Sequence, residues 1–217
     1  MQHKESDGIH QDQKPCELIS WQGFHALARK LARQLCADRF RPDLIVAISR
    51  GGLMPARLLS DYLDVFDFDC LRVEHYHGLH KERLAQVRYP LSAGVTGKRV
   101  LMVDDVSDTG DTFDVAVNHL QQRGQPAQLK TCALHHKRVS RYIPDYFAEE
   151  VVEWRWIIYP WAVMEDLSSF LRDMPAVPPT LDQFAAYLRK THRIEVSAQL
   201  LEEVFEFNGY PIHAQGA

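Results

Sequence analysis

The stretch Val100–Thr112, VLMVDDVSDTGDT, decides how the rest of the sequence is interpreted. Its first four residues, Val100 to Val103, form an apolar run with the length of a buried strand, and two adjacent carboxylates follow. A loop of Asp, Thr and Gly comes next and opens a helix predicted from about residue 112 to 122, which Gly124 ends. The pattern predicts a strand, a polar loop and a helix in immediate succession.

The chemistry of this loop suits a sugar phosphate. Backbone N–H groups, hydroxyls and the dipole of the following helix favour a phosphate monoester. The carboxylates of Asp104 and Asp105 can accept hydrogen bonds from vicinal hydroxyls and help to hold Mg²⁺. An acidic pair alone is more often a strand end followed by an N-cap turn, but the whole thirteen-residue string is much more specific.

Other strands and helices alternate around this stretch. An apolar run, Leu44–Ile48, stops at Ser49-Arg50-Gly51-Gly52 and gives way to a helical pattern. Further strands are predicted near Phe68–Val73 and Leu129–Leu134, and the segment 135–150 is predicted to be a polar loop. This alternation predicts an α/β fold with a mostly parallel sheet covered on both faces.

Composition excludes several classes of protein. The 217 residues include 46% hydrophobic and 25% charged residues, which is ordinary for a globular chain and excludes global disorder. Lys+Arg 25 against Asp+Glu 29 gives a net charge of −4, which argues against a protein that coats nucleic acid or an anionic membrane. The sequence has no apolar run of membrane-spanning length, no secretory signal and no CxxC pair. We therefore expect a cytoplasmic protein with reduced cysteines.

Three motifs together resemble one family. The stretch 100–112 resembles the phosphoribosyl-pyrophosphate (PRPP) binding motif of type I phosphoribosyltransferases. Ile45–Leu53 resembles the pyrophosphate loop of their xanthine-guanine and hypoxanthine branch, and Trp156–Trp161 is similar to the base-binding segment of that branch. The match spans roughly residues 18–161. It implies a type I phosphoribosyltransferase-like sheet flanked by helices, with a small hood segment.

The resemblance implies a domain organisation and an activity. We expect a flexible N-terminal tail over 1–17, a phosphoribosyltransferase domain over 18–162 and a helical C-terminal extension over 163–217. The implied activity transfers the 5-phosphoribosyl group from PRPP to a 6-oxopurine, hypoxanthine, guanine or xanthine, in purine salvage. The implied cofactor is Mg²⁺, and relatives of this branch are homodimers or homotetramers.

The resemblance also assigns roles to residues of the PRPP motif. Asp104 and Asp105 would hold the ribose hydroxyls and the metal, and Asp108 would be the catalytic residue, near N7 of the purine as proton acceptor or donor. Relatives often have a non-proline cis peptide bond in the pyrophosphate loop. The PRPP-binding residues implied in this way are Ser49, Arg50, Gly51, Gly52, Arg83, Asp104, Asp105, Asp108, Thr109, Gly110, Asp111 and Thr112.

The base-binding residues follow from the same resemblance. Lys137 would donate a hydrogen bond to O6 of the base, Trp156 would stack on the ring, and the Ile157 carbonyl would face the groups at C2. In relatives an acidic residue follows the second Trp of this segment, where this sequence has Ala162. That acid is associated with the part of the pocket that reads the C2 substituent, so the preferred purine stays open.

The polar segment between Val73 and Arg99 has two interpretations. It could close over the site and exclude water, or it could be a solvated surface hairpin. His75, His77 and His80 lie within it, and they are either exposed loop residues or part of a metal site.

Two other functions remain open from the sequence. The first is a PRPP-binding regulatory protein, although Lys137 and Trp156 provide a base pocket that a regulator would not need. The second is a phosphoribosyltransferase that acts on another base. A panel of bases with PRPP separates these possibilities.

Overall fold

The computed structural model describes residues 14–77, 83–174 and 180–211. A six-stranded sheet dominates it, with strand order β4-β3-β2-β5-β6-β7. All neighbouring strands run parallel except the pair β3–β4. The strands are β2 (Leu44–Ser49), β3 (Phe68–His77), β4 (Arg83–Tyr89), β5 (Arg99–Ser107), β6 (Gln128–Lys137) and β7 (Tyr146–Val151). The α/β fold with a mostly parallel sheet is confirmed.

Three helices cover this sheet, and apolar spacing explains each of them. They are α1 (Trp21–Ala37), α2 (Leu53–Leu63) and α3 (Asp111–Arg123). Each helix buries the apolar residues of one side, which in α1 include Phe24, Leu31 and Leu35. Val46, Val100 and other strand residues are fully buried, as expected for a sheet covered on both faces.

Strands β5 and β6 are longer than the sequence indicates. β5 continues to Ser107, so Asp104 and Asp105 lie within the strand and not beyond it. The polar loop predicted over 135–150 is wrong, because β6 runs to Lys137 and β7 occupies 146–151. His135 pairs with β5 on one side and with β7 on the other, so that both neighbouring strands hydrogen-bond to this part of β6. The hydrophobic periodicity of the sequence does not reveal this pairing.

The segment between Val73 and Arg99 contains most of an antiparallel pair. Residues 74–77 belong to β3, which pairs with β4 from Arg72↔Tyr89 to His77↔Arg83. The five residues that join the strands, 78–82, lie outside the described part of the chain, and with them His80. The observed strands agree with the interpretation of this segment as a hairpin. That the segment closes over a site stays a prediction.

The chain divides into two compact units, which we call the sheet unit and the terminal unit. The sheet unit comprises residues 22–154, and the terminal unit comprises the described parts of 1–21 and 155–217. The terminal unit holds the strands β1 (Cys16–Leu18) and β8 (Trp156–Ile158), which pair in parallel. Its helices are α4 (Val163–Arg172), α5 (Leu181–Tyr187) with a π-helical turn (Leu188–His192), and α6 (Ala198–Phe207).

The terminal unit corrects one predicted boundary. The tail predicted over 1–17 extends too far, because Cys16 and Glu17 already belong to β1. The segment Trp156–Trp161 begins with the three-residue strand β8, and α4 follows it at the start of the predicted helical extension. Two of its helices begin with a side-chain cap, since Thr180 accepts a hydrogen bond from the Gln183 N–H and Ser197 accepts one from the Leu200 N–H. None of the described helices is both long and apolar enough to cross a membrane.

Candidate active site

The two loops that the sequence singles out meet at one edge of the sheet. β2 and β5 are parallel neighbours, in register at Ala47↔Val103, so the residues that follow them lie side by side. A Cβ on Gly51 would overlap the carboxylate of Asp105, and a Cβ on Gly52 would overlap the carbonyl of Val103. Glycine is therefore required at position 52, where the overlap is with backbone, whereas at position 51 the Asp105 carboxylate would have to move. The peptide bond between Ser49 and Arg50 is cis, as the resemblance implies.

The acidic pair lies at this junction. Asp104 is only 7% exposed, and one of its carboxylate oxygens accepts a hydrogen bond of 2.9 Å from the Asp105 N–H. Burial, together with the neighbouring charge of Asp105, raises the pKa of Asp104 well above its ordinary value. The structure thus holds two carboxyl groups close together, and one of them is in an environment that favours neutralisation by a proton or a cation.

The loop after β5 leads directly into α3. Gly110 has a φ of 96°, and a Cβ there would overlap the backbone of Tyr142, so only glycine fits. The Thr109 hydroxyl donates to Asp111 at 3.0 Å, and the Arg141 guanidinium contacts the carboxylates of Asp111 and Asp114. This loop therefore has the shape expected of a phosphate-binding turn at a helix start.

His75 reaches the same loop from β3. Its Nε2 atom lies 3.1 Å from the hydroxyl oxygen of Thr112. The sequence analysis left this histidine without a role, and only the tertiary structure brings it to the loop. No three described His, Cys, Asp or Glu side chains are arranged to hold a metal ion. The side chains of His77 and His80 lie outside the described part of the structure, so the interpretation of these histidines as a metal site stays a hypothesis.

A lysine lies beside Asp108 because of the register of two strands. Ser107, the last residue of β5, pairs with His136 of β6. Asp108, directly after β5, and Lys137, the last residue of β6, are therefore neighbours. The Lys137 Nζ lies 3.0 Å from a carboxylate oxygen of Asp108, and the lysine side chain is only 2% exposed. The positive charge of a buried lysine requires such a partner.

An aromatic ring completes the surroundings of this lysine. The Lys137 Nζ lies 4.6 Å from the ring centroid of Trp154, in cation–π geometry. Trp154 is 41% exposed and contacts this charge, so it is more than a packing residue. No sequence pattern identifies this contact, because Trp154 follows β7 after an irregular turn.

The residues predicted to bind pyrophosphate lie in different surroundings. The Ser49 hydroxyl donates to the Leu71 carbonyl at 3.0 Å, which leaves the backbone of the loop as the part that can bind phosphate oxygens. Arg50 is exposed at the cis peptide. Arg83 is the first residue of β4, paired with His77 through the backbone.

The predicted base-binding segment lies in the terminal unit. Trp156 is in β8, and its indole N–H donates a hydrogen bond of 3.0 Å to a carboxylate oxygen of Asp166 in α4. Ile157 is buried, and Ala162 is the N-cap residue of α4. The sequence analysis did not identify Asp166; the signal that could have found it is an acid one helical turn after Ala162.

The chain is similar in sequence to known proteins. Residues 17–166 match the phosphoribosyl transferase domain family. The chain is 33% identical over 144 residues to the xanthine-guanine phosphoribosyltransferase of Idiomarina loihiensis, covering 66% of this chain and 84% of that protein. The identity to the xanthine-guanine phosphoribosyltransferase of Desulfotalea psychrophila is 32%, with the same coverage. Residues 167–217 lie beyond the range that the family matches.

A solved structure agrees with these similarities. The purine phosphoribosyltransferase from Pyrococcus horikoshii is 30% identical and superimposes with a TM-score of 0.60, over 67% of this chain and 93% of that chain. The expected fold and the expected family are thereby confirmed. This chain belongs to the phosphoribosyltransferase family.

Proposed function

We propose that this protein is a purine phosphoribosyltransferase of purine salvage. It transfers the 5-phosphoribosyl group of PRPP to a 6-oxopurine, hypoxanthine, guanine or xanthine, and releases the nucleoside monophosphate and pyrophosphate. The names of the relatives from Idiomarina loihiensis, Desulfotalea psychrophila and Pyrococcus horikoshii support this choice of substrate class.

The observation that carries the proposal is the Asp108–Lys137 pair. It places a hydrogen-bond donor and an acceptor 3.0 Å apart, beside the phosphate-binding loop. A 6-oxopurine presents O6, an acceptor, next to N7 on one edge, and N7 carries a proton in one tautomer. Lys137 matches O6 and Asp108 matches N7–H. A 6-aminopurine would oppose the lysine with another donor, so this pair favours oxo over amino substituents at C6.

The reaction follows from these positions. The N9 lone pair attacks C1 of the phosphoribosyl group, the N9–C1 bond forms, and the C1–O bond to pyrophosphate breaks with its electrons leaving on oxygen. The base gives up one proton as it becomes the nucleoside monophosphate, and the Asp108 carboxylate accepts that proton from N7. Proton transfer by a positioned carboxylate typically contributes about 10²–10⁴-fold to a rate.

Positive charge near the leaving group would come from arginines. Arg50, with the backbone of Ser49, Gly51 and Gly52, is proposed to bind the pyrophosphate, with Arg83 as a further contact. Asp108, Thr109, Gly110, Asp111 and Thr112 are proposed to hold the 5′-phosphate. We further propose that the β3–β4 hairpin closes over the bound substrates and excludes water.

Asp104 and Asp105 are proposed to hold the ribose hydroxyls and Mg²⁺. Their oxygens suit this cation, and the raised pKa of Asp104 indicates an environment that a positive charge would relieve. Two carboxylates are too few for a complete protein site, but Mg²⁺ is usually bound by one or two carboxylates together with substrate phosphates. When bound, the ion would neutralise charge on the leaving pyrophosphate.

Three residues are proposed to bind the base. Lys137 binds O6, Trp156 stacks on the ring, and the Ile157 carbonyl faces C2. The regulatory alternative is less well supported, because it gives no purpose to a buried lysine paired with Asp108. A cytoplasmic location and assembly as a homodimer or homotetramer complete the proposal, and light scattering of the purified protein measures the assembly.

A panel of bases tests the function. Pyrophosphate release is measured with PRPP, Mg²⁺ and each of hypoxanthine, guanine, xanthine, adenine, uracil and orotate. We expect release with at least one 6-oxopurine and none with adenine. Reaction with a pyrimidine alone would identify a different transferase, and PRPP binding without any reaction would favour the regulator.

A further inference from the structure

We propose that Asp166 is a positioning residue of this enzyme, which orients the indole of Trp156 and thereby makes purine binding depend on pH. The proposal rests on the proposed function, since it assumes that Trp156 stacks on the base. The geometry points to it through one contact, the 3.0 Å hydrogen bond from the Trp156 indole N–H to the Asp166 carboxylate.

Two groups of contacts fix the tryptophan. Its backbone is held by strand pairing, because Trp156 is in register with Cys16 of β1 and its N–H donates to the Pro15 carbonyl at 2.9 Å. The ring is 41% exposed, so packing alone does not fix its orientation. The bond to Asp166 acts on the far end of the ring and restricts its rotation about the side-chain torsions.

Asp166 is itself held in place by its helix. Its N–H donates to the carbonyl of Ala162 at 2.9 Å, the first backbone bond of α4, and the Ala162 N–H donates to Tyr159 at the same distance. Ala162 and Asp166 are four residues apart and therefore share a side of the helix. An acid one helical turn after Ala162 thus contacts the ring that is proposed to stack on the base.

The carboxyl group is in an environment that makes it titratable near neutral pH. Burial raises the pKa of Asp166 to about 6, and the charge of Glu165 adds to this, while the indole hydrogen bond opposes it. Two arginines on this strand and helix have partners elsewhere. Arg155 is paired with Glu17, and Arg172, at the far end of α4, donates to Asn208 of α6.

The direction of the pH effect follows from these contacts. Above pH 6 the carboxylate is ionised, and a hydrogen bond to an ionised acceptor is about twice as strong as a neutral one. Below pH 6 the protonated acid holds the indole less firmly. The KM for the purine should therefore rise as the pH falls through 6, whereas the KM for PRPP should not follow this titration.

The first test measures the hydrogen bond without any substrate. The indole N–H signals of ¹⁵N-labelled protein are followed between pH 4.5 and 8, with the Trp156 signal assigned by its loss in Trp156→Phe. We expect that signal to titrate with a midpoint near 6, to stop titrating in Asp166→Asn, and to shift its midpoint downward in Glu165→Gln. A Trp156 signal that titrates identically in Asp166→Asn overturns the contact.

The second test measures the consequence for binding. Asp166→Ala should raise the KM for the base about 3–10-fold at pH 7.5, the loss expected for one hydrogen bond. Asp166→Asn, which keeps a neutral acceptor, should recover part of this and give a KM that no longer depends on pH near 6. Glu165→Gln is the matched control, since its side chain is exposed and should leave the KM at pH 7.5 unchanged.

The two tests separate this inference from the proposed function. If the wild-type enzyme uses no 6-oxopurine, the function is wrong, and the spectra still decide whether Asp166 holds the ring. If the enzyme reacts but Asp166→Ala leaves the KM for the base unchanged, the function stands and the positioning role is overturned.

Discussion

The Lys137 ammonium and the Asp108 carboxylate lie 3.0 Å apart, at the ends of two adjacent parallel strands. The lysine side chain is buried, whereas about a third of the aspartate side chain is exposed, so the pair presents one accessible acceptor beside a shielded donor. Burying the charge of Lys137 costs free energy. If this residue served only to stabilise the fold, an apolar side chain would avoid that cost. We interpret the pair as a site that binds a donor–acceptor edge.

The first prediction concerns Asp108. Asp108→Asn keeps the size of the side chain and its ability to accept from Lys137, but an amide does not take up the proton from N7. We expect kcat to fall by about 10²–10⁴-fold, the usual contribution of a general base. PRPP affinity should change little, because the backbone of Thr109 to Thr112 is the part proposed to bind the 5′-phosphate. Steady-state kinetics with the preferred base and a PRPP titration measure both quantities.

A different outcome would reassign the residue. A variant that keeps kcat and loses PRPP affinity would make Asp108 a phosphate-positioning residue. The proton would then leave to water.

The second prediction concerns Trp154. Its ring lies against the Lys137 ammonium, and a cation–π contact of this kind is worth about 0.5–2 kcal/mol. Trp154→Leu removes the contact and should raise the KM for the base several-fold while PRPP affinity is unchanged. Trp154→Phe is the control, because it retains an aromatic face and should lie between the two. Equal KM values for all three proteins would show that Trp154 only packs.

The third prediction concerns the approach of the two loops. Gly51→Ala places a methyl group against the Asp105 carboxylate, which must then move. We expect PRPP binding to weaken at least tenfold. The thermal unfolding temperature should change little, because this loop lies at the end of β2, where Arg50 is exposed to solvent. Gly94→Ala is the matched control, because nothing lies within 4 Å of a Cβ at that position. Equal PRPP affinity in the two variants would contradict the proposed role of this junction.

The sequence was sufficient to predict most of the sheet unit, and the reason is physical. Apolar runs such as Leu44–Ile48 are buried on both faces, so local composition identifies them and the polar loops that follow. The prediction from sequence fails where pairing with another strand determines the secondary structure, as for β7. It also fails where an exposed side chain contacts a residue that is distant in the sequence. Trp154 on Lys137 and His75 on Thr112 are contacts of this second kind. Asp166 lies only ten residues from Trp156, but the turn into α4 that joins them has no periodic pattern.

The last prediction concerns the acidic pair and separates stability from function. In the metal-free protein the folded state raises the pKa of Asp104 above its value in the unfolded chain, through burial and the charge of Asp105. The folded state therefore binds a proton more tightly than the unfolded state, and ionising Asp104 lowers stability above its raised pKa. This penalty begins to shrink as the pH falls below that raised pKa, and it is gone below the pKa that Asp104 has in the unfolded chain.

Asp104→Asn removes the charge and keeps an oxygen that can accept from the Asp105 N–H. At pH 7.5 in EDTA we expect the variant to be more stable than the wild type by about 0.5–2 kcal/mol, the usual gain when a functional site is relieved. At about 2–4 °C per kcal/mol for a chain of this size, calorimetry can measure the difference. The gain should shrink as the pH is lowered toward 4.

PRPP affinity should fall in the same variant. It should fall further in the double variant Asp104→Asn with Asp105→Asn, which should remain folded. A folded double variant that binds PRPP as the wild type does would remove the acidic pair from the site, and a destabilised Asp104→Asn would mean that the carboxylate stabilises the fold.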